Sequence, residues 1–394
     1  MKILFIISCI NSKSKGLGGH YHSLKETVKS LQPYYQVYIA CVGNIYPKAL
    51  INFEKEANIE ILDFTSSKFR PLFTLSSLSY QIKKEKIDLV HSFDRNALYY
   101  GRLISFKHKT PSVLTKCGGN NEGYLPYVEN IICFSKENYD YLKSKRKFSE
   151  VKTYLIPNRI SHFESDKINI ENIKSTIKDF NGSHIILRIS RIGRYYMQTN
   201  KNLINLIQKL NDNGVKSKGI FVGTIEDEEC YKELLDESDN NIYFFTDDLI
   251  TKNARSIIDC ADIVVGTGRS IMEAMSKSKI VLSPIKSSHE LALVDYTNFD
   301  QLFYSNFSER GEIKNFNSSE NFTKISNSFI DKKYKKEITD YIEGVYFQYF
   351  DVENLHKNHL KVYENATKNI KFHLADFIKH TILQIKIYRS KETN

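Results

Sequence analysis

With 394 residues, 41% apolar, 12% aromatic and 26% charged, the chain is too long for one ordinary core and too apolar for an extended disordered protein, so two or three globular domains are expected. A net charge of +10 favours an anionic partner, whether nucleotide, phosphate-linked polymer, nucleic acid or acidic membrane face, without choosing among them. The six cysteines, at 9, 41, 117, 133, 230 and 260, form no C-x-x-C pair and no metal-ligand spacing, which fits the reduced thiols of a cytoplasmic protein.

The chain opens with Lys2 and an apolar run over 3–7. That run is short, leads straight into polar NSKSKG and is followed by no small-residue cleavage site, so a buried strand is expected there rather than a secretion signal. No apolar stretch reaches the roughly twenty residues that span a bilayer, and any membrane contact is expected to be peripheral. Strands are then predicted at KILFIIS, QVYIACVG, IEILDF, DLVHSF, SVLTKC, NIICFS and TYLIPN, with helices at HYHSLKETVKSL, TLSSLSYQIKKEK, ALYYGRLISFK and ENYDYLKSK between them. This alternation is the pattern of parallel sheet with crossover helices. The polar stretch SHFESDKINIENIKS shows no strand pattern and is predicted to be a linker.

The alternation restarts with strands HIILRIS, KGIFVG, NIYFFT, DIVVGT and KIVLSP, separated by helices NLINLIQKL, EECYKELLDE, ARSIIDCA and IMEAMSKS. From about 332 the chain reads as helix nearly to its end. The fold class is therefore α/β, with two doubly wound Rossmann-like units, each offering a ligand edge at the carboxyl ends of its strands, and a cleft between them. Domain limits are expected at 1–165, 166–346 and 347–394, the last set of helices returning to the first domain.

The chemistry concentrates in VVGTGRSIMEAMSKSKIVLSP, 264–284. A strand ends in Gly266, Thr267 and Gly268, and a helix begins at Arg269 and Ser270 with Glu273 one turn further in. Glycines permit close approach of a ligand, and free N–H groups at a helix start favour an anion, while a carboxylate can accept two hydrogen bonds from a ribose diol. A plain helix cap with a solvated Glu273 fits the same pattern. In LRISRIGRYYMQTNKNL, Arg191 follows the first strand of the second unit and Lys201 stands just ahead of the next helix. Two cations there would stabilise a departing diphosphate, although surface Arg and Lys are common in a basic chain.

Taken together, these segments resemble family-4 glycosyltransferases of the GT-B fold. The resemblance runs through S-R-I with a Lys ten residues after the Arg, F-V-G-T, I-I-D-C-A-D-I-V-V, G-x-G-x-x-x-x-E-A-M and I-V-L-S-P. In the first half it includes G-L-G-G-H, D-L-V-H-S-F, I-I-C-F-S-K-E and L-I-P-N-R, and near the end F-D-V-E-N-L-H-K-N-H-L-K-V-Y-E. It implies sugar transfer with retention of configuration from a nucleotide-sugar donor bound to the second domain, with no cofactor and no metal, in keeping with the lack of D-x-D. By the same resemblance Arg191 and Lys201 hold the diphosphate, Glu273 the ribose, and the backbone from Gly268 through Arg269 and Ser270 to Ile271 touches phosphate or sugar. Gly18 and Gly19 close over the donor from the first domain, and His91, Cys117, Gly118 and Gly223 fall among the substrate-binding positions.

Two departures stand out. Where the family carries E-x7-E, the position eight before Glu273 is Val265, and where it carries T-x-H-G this chain has Thr115, Lys116, Cys117 and Gly118. Other candidates have plain alternatives. His91 faces the cleft or sits in the core; His20 and His22 reach the acceptor or merely start a helix; Glu122 is a general base or a polar loop residue. At the end of the chain Ile370, Leu374, Phe377, Ile378, Ile382 and Ile385 recur at helical spacing, and 361–394 holds seven Lys or Arg against three Asp or Glu. Such a helix either packs its apolar stripe on the first domain, the reading preferred here, or rests on an anionic membrane.

The expected function is a retaining glycosyltransferase building a surface glycan such as capsule, lipopolysaccharide or a teichoic-type polymer, at the inner face of the cytoplasmic membrane. The alternative is a partner or glycan-binding subunit that kept the fold and lost catalysis. An epimerase would need further carboxylates near the sugar, and nucleic-acid binding lacks a reading motif.

Overall fold

The computed structural model describes residues 1–10, 18–66, 70–121, 123–286, 288–366 and 370–389. They form two units, one comprising 1–159 with 352–394 and the other 160–351. The sequence placed these divisions at 165/166 and 346/347.

The first unit is built on seven parallel strands in the order β3-β2-β1-β4-β5-β6-β7: β1 (Lys2–Cys9), β2 (Gln36–Gly43), β3 (Glu60–Thr65), β4 (Leu89–Ser92), β5 (Ser112–Lys116), β6 (Asn130–Cys133) and β7 (Lys152–Leu155). From Ile3 to Ile7 every side chain of β1 is fully buried, as a central parallel strand covered on both faces requires. Helix Arg95–His108 is started by Asp94, whose carboxylate accepts from the Ala97 amide at 2.8 Å. The same carboxylate accepts from the Ser8 amide at 2.7 Å, tying the ends of β1 and β4 together.

Two late helices belong to this unit. Leu355–Glu364 packs on helix Gly19–Leu31, and Leu374–Arg389 packs on helix Arg95–His108. The second is anchored by Asp376, which pairs with Arg102 at 2.9 Å and with Lys147, and accepts from the Tyr127 amide at 2.9 Å. Its apolar stripe does not do what the sequence reading preferred. Phe377 stacks on Tyr99, but Leu374, Ile378 and Ile382 are exposed, and the buried positions are His380, Gln384 and Tyr388.

The second unit carries six strands in the order β10-β9-β8-β11-β12-β13: β8 (His184–Ile189), β9 (Ser217–Val222), β10 (Ile242–Phe245), β11 (Ile263–Val265), β12 (Ile280–Pro284) and β13 (Leu291–Leu293). Five are parallel, and β13 returns antiparallel on the edge of β12. The stretch read as a linker is largely helix Lys167–Thr176, capped by Asp166, with Ile170 and Ile173 buried in this unit's core. ARSIIDCA forms a 3-10 helix, Ala254–Cys260, and β13 together with helices Phe299–Tyr304 and Ser318–Ile330 was not anticipated.

Candidate functional site

Each sheet reverses its strand order once, between β1 and β4 in the first unit and between β8 and β11 in the second. In open α/β sheets ligands bind outside the carboxyl ends of the strands at such a reversal. In the second unit that place is framed by the segment after β8, which holds Arg191, and the segment after β11, which runs from Gly266 to Glu273.

After β11 the turn is tight. A Cβ on Gly266 would stand 2.8 Å from Ser270 Oγ and 2.9 Å from the Ile271 amide, and Gly268 has φ +53°, a conformation that side chains oppose. The helix that follows, Arg269–Met275, is only seven residues long. Its opening amides are largely engaged within the protein: Thr267 N–H donates to Ser270 Oγ at 3.0 Å, Gly268 N–H to the Asn306 carbonyl at 3.1 Å, and Ser270 N–H to the Thr267 carbonyl at 3.3 Å. The expected amide cradle over 268–271 is thus partly spent on the turn itself. Ile271 points into the core, and Val265 is likewise fully buried, so neither side chain reads a sugar. Charge is what the turn offers. Arg269 Nε donates to Glu273 Oε1 at 2.8 Å, with Arg255 4.0 Å from the same oxygen, and the Arg269 and Glu273 side chains are nearly buried.

After β8, Arg191 donates to Glu226 Oε1 at 2.7 Å and to the Tyr196 hydroxyl at 3.2 Å. Burial alone would weaken its hold on the proton, but Tyr196 and Glu226 more than offset this and raise its pKa. Lys201 lies inside helix Met197–Asp212 rather than ahead of it, and its ammonium is held by Glu233, at 2.6 Å, and by Glu237 of helix Glu228–Glu237. Among the described residues the two cations have separate carboxylates and no common acceptor. Gly223, at the end of β9, is required for packing: a Cβ there would fall 1.7 Å from the Ser190 carbonyl oxygen.

One residue of this edge escaped the sequence reading. Arg188, in β8, is fully buried; its Nε donates to Asn200 Oδ1 at 3.3 Å, its Nη1 to the Val265 carbonyl at 3.4 Å, and its Nη2 lies 3.8 Å from Glu309 Oε1. Glu309 also accepts from Thr199 Oγ1. Arg188 Nη2, Glu309 Oε1 and Asn200 Nδ2 are buried without a protein hydrogen-bond partner. Burial raises the Glu309 carboxyl pKa, with Arg188 and Thr199 pulling the other way, and burial lowers that of Arg188. A charge in the middle of HIILRIS, an otherwise apolar buried strand, was the available signal.

The candidates in the first unit are mostly architectural. His91 is fully buried, with Nδ1 2.9 Å from the Tyr363 hydroxyl and Nε2 2.7 Å from Thr115 Oγ1, so both ring nitrogens are engaged and burial holds its pKa well below the ordinary value. Of the two readings of His91, the core residue describes it. Cys117 donates to the Phe93 carbonyl at 3.4 Å, and burial raises its thiol pKa, which keeps it neutral. Gly118 has φ +86°. Gly18 precedes helix Gly19–Leu31, which also carries His20 and His22 in its first turn, and accepts from the Tyr21 amide at 3.1 Å. Glu122 lies outside the described residues. Among the described residues no three His, Cys, Asp or Glu are grouped to hold a metal ion, and no helix is long and apolar enough to cross a membrane.

Neither a family model nor a curated protein matches the sequence. Solved structures do match the architecture. A glycosyltransferase from Rickettsia africae aligns with a TM-score of 0.70 at 17% identity, over 93% of this chain and 99% of its own. Anabaena HepE, in complex with UDP and glucose, aligns with a TM-score of 0.65 at 18% identity, over 92% of this chain and 99% of its own.

The fold is GT-B.

The GT-B architecture extends to the UDP-GlcNAc 2-epimerase of Neisseria meningitidis bound to UDP-GlcNAc, with a TM-score of 0.54 at 12% identity over 92% of this chain and 99% of that one. One GT-B scaffold thus serves more than one chemistry, and the side chains at the site, rather than the scaffold, set which one.

Proposed function

We propose that the protein is a glycosyltransferase that takes its sugar from a nucleotide-sugar donor held at the β8/β11 edge of the second unit. What supports this reading is that Arg191 and the Arg269–Glu273 pair stand on the two segments that leave the sheet reversal, after β8 and after β11, with Arg188 buried in β8 itself. Arg191 holds the diphosphate by exchanging the Glu226 carboxylate for phosphate oxygens, a swap between two strong acceptors of the same guanidinium. As the bond from sugar to phosphate breaks, charge grows on the leaving oxygen, and a cation fixed beforehand stabilises that state more than the bound donor. Glu273 accepts the ribose hydroxyls. Lys201 joins the diphosphate on leaving Glu233 and Glu237.

HepE, solved with UDP, supports the donor class, and the Rickettsia glycosyltransferase supports glycosyl transfer. The resemblance to family 4 supports transfer with retention, without metal, onto a glycan or lipid-linked acceptor of a surface polymer at the inner face of the cytoplasmic membrane. Purified protein incubated with UDP, GDP and ADP sugars and a glycan acceptor is expected to release nucleotide, and Arg191→Ala or Glu273→Ala to lower that release by about 10²-fold or more. Proton NMR of the product reports an unchanged anomeric configuration, whereas an epimerised free nucleotide sugar assigns the edge to epimerisation.

A second reading is a subunit that binds without transferring. The engagement of both Arg191 and Lys201 by carboxylates favours it. On that reading no nucleotide or nucleotide sugar raises the melting temperature, while a glycan or partner does.

A further inference from the structure

Helix Leu374–Arg389 sits on its unit with the usual polarity reversed. An amphipathic helix ordinarily turns its aliphatic stripe to the core. Here His380 and Gln384 are 0% and 1% exposed, while Leu374, Ile378 and Ile382, spaced i, i+4, i+8, are 62%, 50% and 50% exposed. The charges sort the same way. Its one carboxylate, Asp376, is turned inward onto Arg102 and Lys147, whereas Lys379, Lys386 and Arg389 are exposed, Lys379 with its ammonium over the Tyr124 ring. The orientation is fixed rather than loose. The Asp376 cluster locks the first turn, Phe377 stacks on Tyr99, and Gln384 donates to Asn96 Oδ1 at 3.1 Å, so rolling the stripe inward would leave a carboxylate and an amide without partners.

The pattern extends to the neighbouring helices. Helix Pro71–Glu85 and helix Leu374–Arg389 both pack on helix Arg95–His108. Helix Pro71–Glu85 leaves Leu72, Phe73 and Tyr80 exposed together with Lys83 and Lys84. Exposed apolar side chains interleaved with cations, on two helices that pack on the same neighbour, suit a surface that is apolar beneath and anionic above.

We propose that the outward face of helix Leu374–Arg389 rests on an anionic lipid surface, its aliphatic stripe entering the acyl boundary and Lys386 and Arg389 meeting the phosphate layer. A second copy of the chain is a poorer occupant, because an isologous contact would set these like charges against each other. The inference stands independently of which reaction the β8/β11 edge performs.

The test is cosedimentation of the full chain with phosphatidylcholine vesicles, with and without phosphatidylglycerol. Binding is expected only where phosphatidylglycerol is present. Replacing both Lys386→Glu and Arg389→Glu weakens it on the order of 25-fold or more, from ~1 kcal/mol for each basic residue near such a surface. Ile378→Ser with Ile382→Ser weakens it also at saturating phosphatidylglycerol. All four positions are outward, so far-ultraviolet circular dichroism and the melting temperature stay as in the parent. Binding to no vesicle, or binding indifferent to both pairs of changes, overturns the proposal. So does self-association in the absence of lipid that Ile378→Ser with Ile382→Ser abolishes, which would assign the face to a second copy.

Discussion

The two sheets reverse strand order in the same way, β1 against β4 and β8 against β11, but the two reversals are furnished differently. At the first, the described groups are neutral or already paired: Asp94 takes Ser8 and caps a helix, and His91 is closed between Thr115 and Tyr363. At the second, guanidinium groups crowd the edge, and Arg188 Nη2 and Glu309 Oε1 remain buried without hydrogen-bond partners. The same topology thus supports one edge wired for architecture and one whose charges are only partly spent. Buried charge is costly to maintain, so an incompletely satisfied pair marks a place where architecture alone does not account for the residues.

The largest expected effect comes from separating the buried pair. Arg188→Met leaves Glu309 facing a hydrophobic side chain and should cost about 3–5 kcal/mol in urea unfolding, with Glu309→Gln in the same chain restoring much of the loss. A neutral Arg188→Met would mean that Glu309 is already protonated and that the edge is less charged than described. Next is Arg191→Ala, expected to lower nucleotide-sugar turnover by about 10²–10³-fold while leaving unfolding nearly unchanged. Its counterpart at the other edge behaves oppositely. His91→Phe should cost ~1–3 kcal/mol of stability by orphaning the hydroxyls of Thr115 and Tyr363, with the donor KM unmoved.

Acid sharpens the same contrast. Burial holds His359 at about 4 and His380 at about 3, and His91 well below its ordinary value, all in the first unit. The unfolded chain takes up protons at these sites below about pH 6.5, while the folded unit refuses them. Stability from each is therefore complete above that pH and falls by ~1.4 kcal/mol per pH unit as pH drops toward the folded value. In the second unit burial lowers the half-buried His184 as well, but the raised pKa of Glu309 works the other way, since its folded form binds the proton more readily. Hydrogen exchange followed from neutral to mildly acidic pH should show the first unit opening before the second; simultaneous opening would contradict this. The smallest effect on stability is that of Lys201→Met, whose solvent-screened ion pairs with Glu233 and Glu237 should leave the urea unfolding midpoint close to that of the parent.

The parallel strands were legible because each is a continuous apolar run, and so was the turn before Glu273, where glycines and a charged helix start adjoin. Helix Lys167–Thr176 was obscured because its buried residues, Ile170 and Ile173, are diluted by polar neighbours that face water. Arg188 was marked in the sequence only as a charge interrupting an apolar strand; its buried hydrogen bonds to Asn200 and the Val265 carbonyl show what holds it there. The periodicity of helix Leu374–Arg389 was correct, but periodicity says that a helix has two faces and not which one docks. Asp376, by binding Arg102 and the Tyr127 amide, decided that.

Hydrogen exchange of the whole chain with UDP, GDP and ADP, each added in excess, shows whether the β8/β11 edge holds a nucleotide. At least one nucleotide should slow exchange together over 190–196 and 266–273, with the amides near His91 unaffected. Unchanged exchange with all three, or protection confined to the first unit, would contradict it.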